Sequence, residues 1–160
     1  MPEILVVCYS YTGNTLRVAE EIGRLTNGTM CSIYPWQPYP PDYQELVRQA
    51  RREIREGYCP RLLPADIRTE EYDVIFVGTP NWCGTLAPPL ASFLTAHDFS
   101  GKIMIPFCTH GGGGIGNVAK DIAALCPKTK MGTAFHTMGD GGPGLKRELG
   151  KWLGGLSIVC

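Results

Sequence analysis

The sequence predicts an α/β fold: a doubly wound parallel sheet of five strands with helices on both faces, formed by residues 1–160 as one domain. Three observations predict it. Apolar strand-like runs alternate with segments of helical spacing five times along the chain, the order of a parallel sheet with right-handed crossovers. The run Tyr72–Gly78 is almost continuously apolar, as in a strand buried on both faces. The most unusual loops follow strands one, three and four, and such sheets bind ligands beyond the carboxyl ends of their strands.

The first strand is Ile4–Cys8. The loop Ser10–Tyr11–Thr12–Gly13–Asn14–Thr15 hands it over to a helix whose apolar stripe is Val18, Ala19, Ile22 and Leu25. Asn27–Gly28 stops that helix, and Thr29–Tyr34 reads as the second strand. The prolines of 35–41 forbid regular structure. Asp42 and Glu45 form a capping pair for a second helix carrying Tyr43, Leu46, Val47, Ala50 and Ile54, with Gly57 as its stop. Its arginines at 48, 51, 52 and 55 are interleaved with Glu45, Glu53 and Glu56, which predicts a solvated, salt-bridged face. Residues 58–71 form a connection longer than compact domains usually carry.

Strand three, Tyr72–Gly78, runs into the loop Thr79–Pro80–Asn81–Trp82–Cys83–Gly84–Thr85. Pro88 and Pro89 suit the first turn of helix three, whose core face is Leu90, Phe93 and Leu94. Lys102–Cys108 is strand four, with a missing ladder bond or a bulge expected at Pro106. The loop Thr109–Gly116 feeds a helix with Val118, Ile122 and Leu125, which Pro127 ends. Met131–Phe135 is a short fifth strand, His136–Gly142 a loop, and Leu145, Leu149, Trp152 and Leu153 mark the last helix.

Composition narrows the function. Fifteen basic and fifteen acidic residues give zero net charge, which argues against a nucleic-acid surface or a polybasic membrane anchor. No apolar run approaches the ~20 residues that span a bilayer, and Met1–Pro2–Glu3 does not begin a signal peptide, so a cytoplasmic protein is expected. The seven cysteines, at 8, 31, 59, 83, 108, 126 and 160, contain no C-x-x-C pair. That predicts neither a metal site nor a complete disulfide framework. Cys8, Cys31 and Cys108 read as small core residues.

The three loops differ in character. Loop one joins a strand to a helix N-terminus, where unpaired N–H groups and the positive end of the helix dipole favour an anion. Two readings fit it: a phosphate cradle, or an ordinary turn capped by Asn14 or Thr12. It has no Lys or Arg, and the nucleotide pattern G-x-x-x-x-G-K-[ST] is absent. Loop two places Trp82 where an indole could stack on a flat ligand or cap the core. Loop three holds five glycines in the six residues Gly111–Gly116, and bare backbone can approach a ligand closely. Together they describe a phosphorylated planar cofactor, which FMN fits. Gly111, Gly113 and Gly116 also match the dinucleotide pattern G-x-G-x-x-G. That fingerprint belongs to the first βα turn with an acidic residue after the next strand, whereas here the turn is the fourth and the next strand ends in Phe135–His136.

On Ser10-x-Thr12-Gly13-Asn14-Thr15, on Thr79-Pro80-Asn81-Trp82-Cys83-Gly84, on Gly84-x-x-x-Pro88, on Gly101-Lys102 and on Phe107-Cys108-Thr109-His110-Gly111-Gly112, the chain resembles the short flavodoxin-like proteins over its whole length. The resemblance implies strand order 2-1-3-4-5 without the strand-interrupting insertion of long-chain flavodoxins. It implies that Ser10, Thr12, Asn14 and Thr15, with the backbone of Tyr11 to Thr15 including Gly13, bind the FMN phosphate. It implies that Trp82, in the Thr79–Pro80–Asn81 loop, stacks on the ring. The Cys83–Gly84 peptide would sit near flavin N5, able to turn its carbonyl toward N5–H on reduction. Thr109, His110, Gly111, Gly112, Gly113 and Gly116 would contact the pyrimidine side. A phosphate dianion without a nearby cation disfavours further negative charge on the reduced ring and lowers the potential of the second one-electron step.

The expected function is electron transfer through FMN between redox partner proteins. Many flavodoxins are strongly acidic and this chain is neutral. His110 and glycines stand where a second stacking tyrosine is common. Both departures leave room for an FMN-dependent NAD(P)H:quinone-type reductase acting on a small quinone-like acceptor. A third reading is a binding module that kept the fold without flavin. His110 and Cys83 otherwise read as a solvated ring and a bystander thiol.

Overall fold

The computed structural model describes residues 2–156 and 158; Cys160 lies outside them. Strands β1 (Ile4–Cys8), β2 (Thr29–Ser32), β3 (Val74–Trp82) and β5 (Ile103–His110) are parallel. The sheet order is β2-β1-β3-β5-β6, with β6 (Lys130–Met131) and β7 (Phe135–Met138) both paired to β5. The two pieces share the fifth position, so the expected order 2-1-3-4-5 holds with its last strand split. A two-residue strand β4 (Thr85–Leu86) folds back antiparallel on β3.

Helices α1 (Asn14–Thr26) and α5 (Leu145–Gly154) cover one face, where Val18, Ile22, Leu145 and Leu149 pack on Val6, Phe76 and Phe107. Helices α2 (Tyr43–Glu56), α3 (Pro88–Ala96) and α4 (Val118–Leu125) cover the other, where Leu46, Leu90, Phe93, Val118 and Ile122 pack on Leu5, Val7, Ile75 and Val77. β3 is the central strand, and its apolar run is buried from both sides. Among the described residues no helix is long and apolar enough to cross a membrane.

Several local expectations hold for their stated reasons. Asp42 caps α2 through the Glu45 N–H at 3.0 Å, and Asn27 closes α1 in the left-handed conformation at φ 57°. Cys8, Cys31 and Cys108 are buried, and burial pushes the Cys8 and Cys108 thiols up to about 12, which makes them unreactive.

Of the two outcomes expected at Pro106 the missing ladder bond holds and the bulge does not, because Pro106 stays in register with Val77; other expectations are corrected. Along β5 the polar groups alternate sides: Ile103 N–H donates to Asp73 of the β3 side, and Gly132 N–H donates to Met104 C=O. Pro106, two residues beyond Met104, therefore turns its missing donor toward the last strand. That strand is interrupted there, between Met131 and Phe135. The chain rejoins the sheet as β7, so His136–Met138 are strand and not loop. The long connection 58–71 is fastened rather than free, with Trp36 N–H donating to Arg61 C=O at 2.7 Å and Leu63 N–H to Tyr34 C=O at 2.8 Å. On α2, Tyr43 is 76% exposed. The four arginines of α2 are exposed as expected, but none forms a salt bridge among the described residues.

Candidate functional site

The carboxyl ends of β1, β3 and β5 bring the three loops together around one cleft of about 480 Å³. Tyr11, Thr12 and Asn14 line it from loop one, Pro80, Asn81, Trp82 and Cys83 from β3 and its turn, and Thr109, His110 and Gly111 from β5.

Loop one is a capped turn that leaves several N–H groups open at the start of a helix. The cap is neither Asn14 nor Thr12. Ser10 Oγ accepts the N–H groups of Gly13 and Leu16, each at 3.1 Å, and Gly13 takes φ 97° to bring the chain into α1. The N–H groups of Tyr11, Thr12, Asn14 and Thr15 have no partner among the described residues. They surround the N-terminus of a helix of 13 residues, where the dipole adds to their pull on an anion. Thr12 is exposed to the cleft; Thr15 is buried, and its Oγ1 lies 2.7 Å from Thr109 Oγ1. The structure thus uses Thr15 to tie loop one to β5 and leaves its N–H for a ligand. Arg17, in the first turn, is committed to the carbonyls of Asp140 and Gly142 at 2.6 and 3.1 Å.

Loop two is shorter than expected. β3 continues through Thr79–Trp82 because β5 pairs with Thr79 and Pro80 and β4 with Asn81 and Trp82, and Cys83–Gly84 form a two-residue hairpin turn. Both take positive φ, 57° and 87°, as the right-handed strand twist requires of such turns. Cys83, with a Cβ, holds that conformation at a cost of about 1 kcal/mol. Asn81 fixes the turn by accepting Gly84 N–H at 2.9 Å and donating to Gly114 C=O at 2.8 Å. Thr79 is buried and satisfied internally, accepting Ala87 N–H at 2.9 Å and donating to Pro80 C=O at 2.8 Å, so it braces the turn from below the cleft.

Trp82 is half-buried and edge-on to three tyrosines: Tyr39 at 4.9 Å, Tyr9 at 5.5 Å and Tyr11 at 6.0 Å between centroids, with interplanar angles of 86°, 84° and 73°. The tyrosines are themselves anchored. Tyr11 donates to Pro40 C=O at 2.5 Å, and Tyr39 to Glu53 Oε1 at 2.6 Å. The indole is core cap and cleft wall together.

In loop three, Gly111 lines the cleft, while Gly112 and Gly113 are exposed next to it in the chain and do not line it. Gly116 does different work: a Cβ there would lie 2.9 Å from Gly84 C=O, and Asn117 N–H donates to that carbonyl at 2.7 Å. Gly116 lets loop three close on the hairpin turn.

The cleft also has a wall that the sequence did not reveal as one. Tyr43, Leu46, Val47, Ala50 and Arg51 of α2 line it, with Gly139. The spacing 43, 47, 51 puts Arg51 beside the apolar stripe, while 48, 52 and 55 fall on the opposite side. Loop one is cation-free, yet the cleft as a whole holds one guanidinium. No group of three or more His, Cys, Asp or Glu suited to a metal occurs among the described residues. Free N–H groups at a helix start, an indole wall and a bare glycine rim fit the phosphate ester of a planar ring.

Comparisons with known proteins agree with the fold. The family model described as flavodoxin matches residues 3–153. No curated protein matches the sequence. Among solved structures, the chain is similar to a candidate flavoprotein from Bacteroides eggerthii, with TM-score 0.86 and 26% identity over 99% of this chain and 100% of that one. It is similar to a candidate flavoprotein from Bacteroides uniformis, with TM-score 0.83 and 27% identity over 93% and 98% of the two chains. A flavoprotein from Lactobacillus acidophilus, solved in complex with FMN, shares the fold at TM-score 0.79 and 19% identity, over 96% and 99%.

Proposed function

Because the chain belongs to the flavodoxin family, we propose that it binds FMN in the cleft between loops one, two and three and transfers electrons through it. The observation that carries this reading is the set of unpaired N–H groups of Tyr11, Thr12, Asn14 and Thr15 at the start of α1, beside Trp82. FMN, when bound, supplies the exchange of one or two electrons. The chain's residues do the rest. Loop one, with the Thr12 hydroxyl, holds the phosphate. Trp82 shields one face of the ring. The turn at Cys83–Gly84, held by Asn81, presents backbone to the ring edge. Gly111 lets the β5 loop close over it.

The experiment is an absorbance spectrum of the purified protein followed by reductive titration. A yellow protein, or a colourless one that quenches added FMN fluorescence, is expected; failure of both overturns the flavin reading. Thr12→Val is expected to weaken FMN about tenfold, the scale of a hydrogen bond to a charged group, and to leave riboflavin affinity nearly unchanged. Equal losses for both ligands would remove Thr12 from the phosphate site.

A second reading, an FMN-dependent NAD(P)H:quinone-type reductase, is favoured by the α2 wall. There Tyr43, Val47 and Arg51 give the cleft an apolar side with one cation, suited to a flat acceptor beside the cofactor. Sustained NADPH-driven reduction of a quinone by the protein alone would select it; electron delivery only through a second protein would select the carrier.

A further inference from the structure

Two histidines, one lining the cleft and one beside it, are joined in one direction only. His110 ends β5, and its ring lines the cleft. Its Nδ1 lies 3.0 Å from Gly112 N, and its Nε2 lies 3.2 Å from His136 Nδ1. A backbone N–H can only donate, so His110 Nδ1 must carry a lone pair. A neutral ring then keeps its proton on Nε2, which donates to His136 Nδ1. His136 in turn carries its proton on Nε2, toward solvent, where the ring is exposed. The chain Gly112 N–H, His110, His136 has one consistent set of protons, and every acceptor in it is filled. The sheet sets this up: His136 pairs with Cys108 in the β5–β7 register, which places it diagonally from His110 on the same face. His110 C=O is held as well, by Gly139 N–H at 2.8 Å.

We propose that His136 is a positioning residue: by accepting from His110 Nε2–H it reinforces the tautomer that Gly112 N–H selects, and so latches Gly112 and the glycine loop next to the cofactor cleft. Gly112, at φ 127°, belongs to a backbone with few other restraints. Any further proton breaks the latch. On His110 Nδ1 it would face Gly112 N–H; on His136 Nδ1 it would face His110 Nε2–H. Burial first, and then the neighbouring His136, hold the His110 pKa below the ordinary imidazole value. A lowered folded-state pKa means that neutral His110 holds the loop above the ordinary imidazole pKa of about 6.5. The hold is lost as pH falls through the lowered value. The other charged groups at this edge are Arg51 of α2 and Asp140, the latter 3.5 Å from Arg17 of α1; Tyr11, Tyr43 and Cys83 share the cleft.

The test is ¹⁵N imidazole NMR and amide exchange on the flavin-free protein. Wild type is expected to show both rings as Nε2–H tautomers, with a Gly112 amide protected at pH 7.5 and losing protection as the pH falls below the ordinary imidazole pKa. His136→Leu should leave His110 in mixed tautomers and speed Gly112 exchange about tenfold, the scale of one lost hydrogen bond. His136→Gln, whose carbonyl oxygen can accept from Nε2–H, should restore both. An Nδ1–H tautomer of His110 in wild type, or unchanged Gly112 exchange in His136→Leu, overturns the proposal. The cofactor part rests on the flavin reading and is read separately. The FMN Kd should rise about fivefold in His136→Leu and recover in His136→Gln; an unchanged Kd overturns the loop's part in holding the cofactor. If wild type binds no FMN the flavin reading falls, and the flavin-free spectra still decide the latch.

Discussion

Replacing Trp82 by alanine is expected to raise the dissociation constant for FMN by about one to two orders of magnitude, since a buried aromatic side chain contributes roughly 1.5–3 kcal/mol. Two effects add. The ring loses its flat apolar partner, and the three tyrosines edge-on to the indole lose the surface that fixes them. Because Tyr11 is in loop one and donates to Pro40, loosening it also disturbs the phosphate cradle. Trp82→Phe keeps an aromatic face and should recover most of the affinity. Fluorescence titration of FMN measures both variants, and thermal unfolding without flavin separates lost binding from lost folding. Unaltered FMN affinity in Trp82→Ala would confine the indole to capping the core.

Gly78→Ala is expected to destabilise the protein by at least about 3 kcal/mol, the upper end of overpacking costs. A Cβ at Gly78 would lie 2.1 Å from Cε2 and 2.2 Å from Cζ of Phe107, whose ring is fully buried. Gly78 sits opposite Phe107 in the β3–β5 register and opposite Cys8 across β1. The phenylalanine fills the space that the missing side chain leaves. For a chain of 160 residues a loss of this size lowers Tm by about 6–12 °C. Adding Phe107→Leu should recover part of it, because the smaller side chain vacates the contested volume. A Tm within a degree of wild type would show that the strands separate at little cost.

Much of this fold was legible because the governing interactions are local. Alternating strand and helix patterns, the Asp42 cap, the Asn27 stop and the proline start of α3 are written in short stretches and recur in the structure. The ends of β3 and β5 were not legible. Thr79–Trp82 and Thr109–His110 carry polar residues and a proline, and they become strand because β3 and β5 pair on through Thr79–Pro80 and Cys108–Thr109, β4 pairs with Asn81–Trp82, and β7 pairs with Thr109–His110. The cap at Ser10 was missed because it reaches three residues ahead from outside the helix. In the cleft, the three loops were visible as unusual stretches, and their meeting followed from the parallel topology. The α2 wall was not, since the stripe Leu46–Val47–Ala50 shows that a face is covered without saying by what. His136 was read as loop because only pairing with Cys108 makes it strand and brings it to His110.

The break in the last strand opposite Pro106 bears on what the edge of the sheet offers to another strand. That strand is an open edge of the sheet. An unbroken edge offers a row of unpaired donors and acceptors on which a strand of another molecule can add. Here the edge consists of one piece of two residues and one of four, with an interruption that another strand cannot follow in register. The proline that costs β5 a donor thereby faces a shortened template for self-association at this edge of the described sheet, and closing the gap would be expected to increase aggregation before it increased stability.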